Sequence, residues 1–172
     1  IQYWMAFQML LGNDDTQSRN MYLYSPQNST KWYIIPWDND SILMKNERRL
    51  VSKDSDQANS WEVGVSNYWG NQLFQRLLKS KEFRKGLDEK MDELRKTITG
   101  DKITSMSNEY ATVIKPYLAK MPDQMHAKTT PDNYDKILAD LPNEVENNYK
   151  IYKTSLEKPQ PFFINKPEVA NN

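Results

Sequence analysis

From residue 68 onward, apolar residues recur every three or four positions, and this spacing places them on single faces of helices. Gly100 is predicted to end the second of these helices and Pro116 to end or kink the third. Thr130 is predicted to cap the last helix, just before Pro131. The pattern predicts four helices, marked in turn by Tyr68, Trp69, Leu73, Phe74, Leu77 and Leu78; by Phe83, Leu87, Met91, Leu94 and Ile98; by Ile103, Met106, Tyr110, Val113, Ile114 and Tyr117; and by Leu141, Val145, Tyr149, Tyr152 and Leu156.

The first forty residues follow two other patterns. Residues 1–11 are apolar nearly all round, which predicts a helix buried in the core that ends at Gly12. Residues 21–25 and 32–37 are rich in β-forming side chains and flank turn-forming residues at 26–29, so they predict a β-hairpin. The predicted fold is therefore α+β, mainly helical, with one small hairpin.

The length of 172 residues is that of one domain, and no repeat divides the sequence. Aromatic residues make up 12% of the chain, enough to build one core despite 27% charged residues. Residues 41–60 predict a loop, and the tail from Pro159 is predicted to be extended. Because the chain opens at Ile1 on an apolar helix without an initiator Met or a signal-peptide pattern, we expect residues 1–172 to be a single partial domain of a longer protein.

The composition excludes several classes of function. Lys plus Arg and Asp plus Glu number 23 each, so the net charge is 0 and nothing favours binding to nucleic acid. The mean hydropathy of −0.87 and the short apolar stretch at residues 4–11 argue against a membrane span. The chain has no cysteine, which excludes disulfides, thiolate metal sites and cysteine nucleophiles and leaves oxygen ligands.

The polar residues of most interest flank the predicted hairpin. Asp15 and Asn20 precede it, and Asp38 and Asp40 follow it. Because a hairpin brings its two ends together, Asp15, Asn20 and Asp38 are predicted to converge into an oxygen-rich set suited to Mg²⁺. The spacing alone also allows a structural interpretation, in which Asp15 belongs to a solvated turn and Asp38 caps the next segment.

The order of these residues also fits phosphoryl transfer. In a kinase catalytic loop, the Asp that orients the substrate hydroxyl is followed five residues later by an Asn that binds Mg²⁺, and a second Asp lies beyond a short hairpin. Asp15, Asn20 and Asp38 occur in that order, with Asn20 five residues after Asp15 and Asp38 beyond the predicted hairpin.

Four segments follow one another in an unusual order: the aromatic helix ending at Gly12 and Asn13, then Asp15, then Asn-Met-Tyr-Leu-Tyr at 20–24, then Pro-Trp-Asp-Asn-Asp at 36–40. Together they resemble the core signature of the CotH family, the spore coat protein H kinases. The resemblance is specific over residues 1–40 and looser beyond residue 68. It implies the fold of the C-terminal lobe of an atypical protein kinase, with ATP and Mg²⁺ as cofactors and a protein substrate phosphorylated on Ser or Thr.

The resemblance also implies a role for each candidate residue. Asp15 resembles the catalytic Asp, Asn20 the metal-binding Asn beside the nucleotide, and Asp38 the Asp that holds Mg²⁺ on the phosphates. Asp40 is a further metal candidate. Asn39 and Asp40 stand where ordinary kinases have Phe-Gly, and no His-Arg precedes Asp15, two departures that agree with the CotH pattern.

A kinase also needs a cover over the phosphates and a Lys–Glu pair, which precede the catalytic loop. None of the fourteen residues before Asp15 is Lys, Arg or Glu. We therefore expect the N-terminal lobe to be absent from this chain. That lobe would be a missing partner from the same protein, and we expect the chain alone to be inactive.

A second function remains open, that of a non-catalytic interaction or structural module that binds through its aromatic and helical surfaces. Trp61, Tyr68 and Trp69 fit either a carbohydrate platform or a core or interface, and the latter is the more common role of clustered aromatics. His126, the only histidine, is expected to be structural, because no catalytic triad motif accompanies it. The family resemblance implies an extracellular, cell-surface or spore-coat location.

Overall fold

A computed structural model of the chain describes residues 1–13, 16, 20–40, 42–43, 71–127 and 129–157. Within these ranges the fold is mainly helical with one two-stranded antiparallel sheet, as the sequence predicts. The elements in chain order are α1 (Gln2–Leu11), β1 (Met21–Tyr24), β2 (Tyr33–Pro36), α2 (Gln72–Lys79), α3 (Lys81–Thr97), α4 (Gly100–Leu118), α5 (Asp123–His126) and α6 (Pro131–Glu157).

Side-chain caps fix where the longer helices begin. The Ser80 hydroxyl accepts from the amide of Phe83 at the start of α3, and the Thr130 hydroxyl accepts from the amide of Asn133, which confirms the predicted start of α6. The Thr99 hydroxyl accepts from the amide of Lys102. That cap makes Gly100 the first residue of α4, so the prediction that Gly100 ends the preceding helix is wrong.

Pro116 does not end α4, which continues to Leu118. A proline removes only one backbone hydrogen bond, the one from its own nitrogen to the carbonyl four residues earlier, so the following residues can stay helical. The predicted loop at residues 41–60, apart from residues 42–43, and the predicted extended tail lie outside the described residues.

The core forms where α1 lies against α3 and α6. Met5, Met9 and Leu10 of α1 are buried, and each such side chain stabilises the fold by roughly 1.5–3 kcal/mol relative to exposure. Trp4 is partly buried and stacks on Phe74 of α2, with ring centroids 5.8 Å apart. The prediction of a buried first helix is confirmed. None of the helices in the described ranges is both long enough and apolar enough to cross a membrane.

The hairpin is held in a defined register. Met21 lies opposite Pro36 and Tyr24 opposite Tyr33, which places the two predicted strands together. Met21, on one face, packs against the core. Tyr22 and Ile35, which are paired on the other face, are exposed, so the sheet presents an apolar surface to solvent.

A polar network links α3 to α6. Lys153 binds Asp88 (2.5 Å) and Asp92 (2.8 Å), and the Tyr149 hydroxyl donates to Asp92 (2.9 Å). Burial acts to lower the pKa of Lys153, but its hydrogen bonds to the two carboxylates outweigh this and raise the pKa. Burial likewise acts to raise the pKa of Asp92, yet the hydrogen bonds from Lys153 and Tyr149 prevail and lower it. The charged forms of Lys153 and Asp92 therefore stabilise the folded state.

Replacing Lys153 with Met should lower the free energy of unfolding at pH 7 by about 1–2 kcal/mol, because two partly buried carboxylates lose their shared cation. Asp92 has a depressed pKa when folded, so its contribution is complete above the unfolded pKa of about 3.9 and is lost as the pH falls through the lower folded value. The difference in free energy of unfolding between the wild type and Lys153→Met should therefore become smaller below about pH 4, as measured by urea denaturation at a series of pH values.

Lys150→Met is the matched control on the same helix. Lys150 is 71% exposed and lies 3.8 Å from Glu146, so its loss should change the free energy of unfolding by less than about 0.5 kcal/mol. Equal effects of the two substitutions would contradict a stabilising role for the α3–α6 network.

Candidate functional site

The candidate site is built on the C-terminal end of α1. Gly12 ends the helix in the left-handed region, with φ 65°. Its amide donates to the Met9 carbonyl (3.2 Å) and the amide of Asn13 donates to the Gln8 carbonyl (2.9 Å), the two bonds of a Schellman motif. The motif turns the chain out of the helix two residues before Asp14 and Asp15 in the sequence.

Helix α6 closes over this helix end. Asn148 of α6 is only 4% exposed, and its Nδ2 donates to the Leu10 carbonyl (3.1 Å). A Cβ atom on Gly12 would lie 2.8 Å from the same Nδ2. Glycine is therefore required at position 12 for two reasons: the backbone has a positive φ, and Asn148 occupies the space that a side chain would need.

A cluster of three amide side chains ties the segment after β2 to α1. Gln8 and Asn13 are fully buried, and both donate to Oδ1 of Asn39, at 3.1 Å from Gln8 Nε2 and 3.2 Å from Asn13 Nδ2. The backbone amide of Leu43 donates to the Leu11 carbonyl (2.8 Å), a second attachment a few residues later. The residues around Asn39, including Asp38 and Asp40, are therefore anchored to the end of α1.

The hairpin brings two of the predicted site residues to one of its ends. Asn20 directly precedes β1 and Asp38 follows β2 by two positions, and the Met21–Pro36 pair between them is the last of the ladder at that end. Both residues have left-handed backbones, with φ 52° and 50°. Asn and Asp tolerate this region better than other non-glycine residues, which accounts locally for their identity.

Of the two other predicted site residues, Asp40 and Asp15, only Asp40 lies within the described part of the chain. Asp40 is exposed, beside the anchored Asn39. Asp15 lies outside the described residues, so its convergence with Asp38 stays a prediction.

Of the weaker candidates, only His126 lies within the described residues. His126 is exposed at the end of the short helix α5. Trp61, Tyr68 and Trp69 fall outside the described part of the chain.

The donor set suits a hard cation. Asn20, Asp38 and Asp40 offer amide and carboxylate oxygens, the ligands that Mg²⁺ prefers. Among the residues that the structure describes, no three His, Cys, Asp or Glu side chains lie close enough together to hold a metal ion by themselves. The described donors thus fit a Mg²⁺ that takes the rest of its ligands from water and phosphate, as Mg²⁺ commonly does.

The amide cluster was not predicted from the sequence. A signal existed in Gln8, a polar residue at the centre of a helix predicted to be buried all round, since a buried amide needs a hydrogen-bond partner. Its partner Asn39 lies 31 residues away. No spacing rule within a helix or a hairpin identifies a contact at that separation.

Comparison with known proteins adds the family. A family model described as CotH kinase protein matches residues 1–152, so the match includes the helix α1, the hairpin and most of α6. The protein is thus a mainly helical α+β fold in which Asn20 and Asp38 lie at one end of a hairpin. It belongs to the CotH kinase family. No curated protein and no solved structure matches the chain.

Replacing Asn39 with Leu, which has a similar shape but no acceptor, should remove the acceptor that two buried donors share. Losing hydrogen bonds to buried groups costs about 1–3 kcal/mol each, so we expect the free energy of unfolding to fall by about 2–4 kcal/mol in urea titrations. Asn39→Asp keeps an acceptor oxygen and should lose less than half as much. Asn28→Leu, at an exposed hairpin turn position, is the control with no expected loss; an equal loss at Asn28 would contradict the anchoring role of Asn39.

Replacing Gly12 with Ala should destabilise the protein by about 1–3 kcal/mol, because an alanine there adopts a left-handed backbone and collides with Asn148. Gly100→Ala is the control: its Cβ would lie 3.3 Å from Cβ of Pro142, and alanine favours the helix, so the change should be much smaller. Thermal unfolding of both variants measures the difference. An unchanged melting temperature for Gly12→Ala would show that the end of α1 is not constrained as described.

Proposed function

We propose that the intact protein is an atypical Ser/Thr protein kinase that transfers the γ-phosphoryl group of ATP to a protein substrate with the help of Mg²⁺. Membership of the CotH kinase family is the observation that carries the proposal. The position of Asn20 and Asp38 at one end of the hairpin supports it, because phosphoryl transfer needs oxygen ligands gathered at one point.

In the proposed mechanism the residues act chiefly by positioning. Asp15 accepts a hydrogen bond from the substrate hydroxyl and orients it towards the γ-phosphate, and it takes up the hydroxyl proton. Asn20 and Asp38 would hold Mg²⁺, with Asp40 as a further ligand. When bound, Mg²⁺ supplies neutralisation of the charge on the phosphates. Asn39 does not contact the reactants in this scheme; it fixes the backbone between Asp38 and Asp40 through its bonds to α1.

The remaining kinase parts are assigned to a separate lobe. The helix before Asp15 contributes no Lys, Arg or Glu that could bind the phosphates or form the Lys–Glu pair. We therefore propose that an N-terminal lobe of the same protein provides them, and that residues 1–172 form the C-terminal portion of the catalytic domain. An extracellular, cell-surface or spore-coat location is part of the same proposal.

One observation favours the second candidate function, that of an interaction module. The outer face of the hairpin exposes aromatic side chains: Tyr22, Tyr24 and Tyr33 are each more than half exposed. Such side chains are common anchors in protein interfaces. A module of this kind would need the hairpin surface but not the carboxylates.

The experiment that separates the two functions uses Asp15→Asn and Asp38→Asn in the intact protein. Asp38→Asn removes a charged metal ligand, so it should weaken Mg²⁺-dependent ATP binding as well as turnover. Asp15→Asn should leave ATP binding nearly unchanged and slow the chemical step, and each rate should fall on the order of 10²-fold or more. Radiolabelled phosphoryl transfer and calorimetric ATP titration measure the two effects.

Asp132→Asn is the control, an exposed carboxylate in the first turn of α6. It should change neither rate nor ATP affinity. Equally small effects from Asp15→Asn and Asp38→Asn would reject the catalytic assignment and leave the interaction module as the better account.

A further inference from the structure

Helix α4 carries an apolar seam on its exposed surface. Met106, Tyr110, Val113 and Tyr117 follow each other at spacings of four, three and four residues, which places them in one line along the helix. They are 40%, 60%, 63% and 58% exposed. Ala111, the buried residue of this helix, lies roughly 130° further round the axis. The seam is therefore a second apolar face of α4, separate from the face that includes Ala111.

The area of this surface is large enough for a small interface. With Ile114, a further exposed residue of α4, the seam presents roughly 500 Å² of surface if a large side chain offers about 200 Å² when fully exposed. This lies towards the upper end of the range for the largest apolar patch on a monomer, about 300–600 Å². Two such surfaces together supply about the 1,000 Å² that a specific interface needs.

The spacing of the seam is the same in both directions, so two copies can pair antiparallel about a two-fold axis with every seam residue opposite another seam residue. We propose that the chain forms a homodimer in which α4 packs antiparallel against α4 of a second copy along this seam. In that arrangement Met106 meets the partner subunit's Tyr117, and Tyr110 meets the partner subunit's Val113. Each contact occurs twice, once on either side of the two-fold axis.

The residue sizes favour antiparallel over parallel pairing. Antiparallel pairing places each tyrosine against a smaller or more flexible side chain, and it gives the Met106 sulfur an aromatic partner. Parallel pairing would stack two tyrosines in one layer and two valines in the next, so one layer would be overfilled and its neighbour underfilled. Antiparallel helices also place opposite ends of their dipoles side by side.

The first test is the mass of the purified chain in solution by sedimentation equilibrium. Wild type should be a dimer, and Tyr110→Glu, which introduces a charge into the seam, should raise the dissociation constant at least tenfold without changing the circular dichroism spectrum. Tyr3→Glu is the matched control, a tyrosine of α1 with 51% exposure, and should leave the dissociation constant unchanged. A wild-type monomer at all concentrations, or a dimer disrupted by Tyr3→Glu alone, would overturn the proposal.

The second test determines the direction of packing by disulfide formation, and it is unambiguous because the chain has no cysteine of its own. Met106→Cys mixed with Tyr117→Cys should give a cross-linked heterodimer on mild oxidation. Met106→Cys alone should not cross-link, because its two copies would lie roughly 16 Å apart along the helix axes. Cross-linking of Met106→Cys to itself would indicate parallel packing and reject the proposed interface. Met106→Cys mixed with Glu89→Cys, an exposed position on α3, is the control that should stay uncross-linked.

Discussion

The end of α1 is the constraint on which the candidate site depends. The last carbonyl groups of a helix have no partners within the helix and must be satisfied from elsewhere. Here the Leu10 carbonyl accepts from Asn148 and the Leu11 carbonyl accepts from Leu43. One partner belongs to α6 and the other follows the Asp38–Asp40 segment. Satisfying the end of the helix and positioning that segment are therefore accomplished by the same hydrogen bonds.

The anchor beneath the site is made of neutral groups, and this has a physical advantage. Burying an unpaired charge is far more costly than burying an amide, even one like Gln8 whose Oε1 has no hydrogen-bond partner among the described residues. The buried Gln8 and Asn13 meet the half-buried Asn39 as amides, while Asp38 and Asp40 on either side of Asn39 stay exposed. The alternation lets one short segment hold a fixed backbone without withdrawing its carboxylates from water, where a hydrated cation and phosphates would reach them.

The parts of the fold that sequence predicts well are those set by short-range patterns. The buried first helix, the hairpin and the cap at Thr130 each follow from neighbours within a few residues. The misassigned Gly100 shows the limit of that reasoning, since the same glycine fits a helix end or a helix start until the Thr99 cap is known. Order and spacing identify Asn20 and Asp38 as site candidates, and the family resemblance adds Asp40, whereas the support from Gln8 and Asn148 depends on contacts 31 and 138 residues apart. Such contacts are products of the packing and leave no periodic signal.

Helix α6 connects the two surfaces to which functions are assigned. It spans 27 residues and packs against α4, which bears the proposed dimer seam, and against α1, whose end supports the hairpin site. Its C-terminal third is also held to α3 by Tyr149 and Lys153. The seam lies on α4, whereas the site lies on the hairpin and the end of α1, and no residue belongs to both surfaces. We therefore expect dimerisation through α4 and the chemistry at the hairpin to be separable, so that Tyr110→Glu would alter assembly and leave nucleotide affinity in the intact protein unchanged.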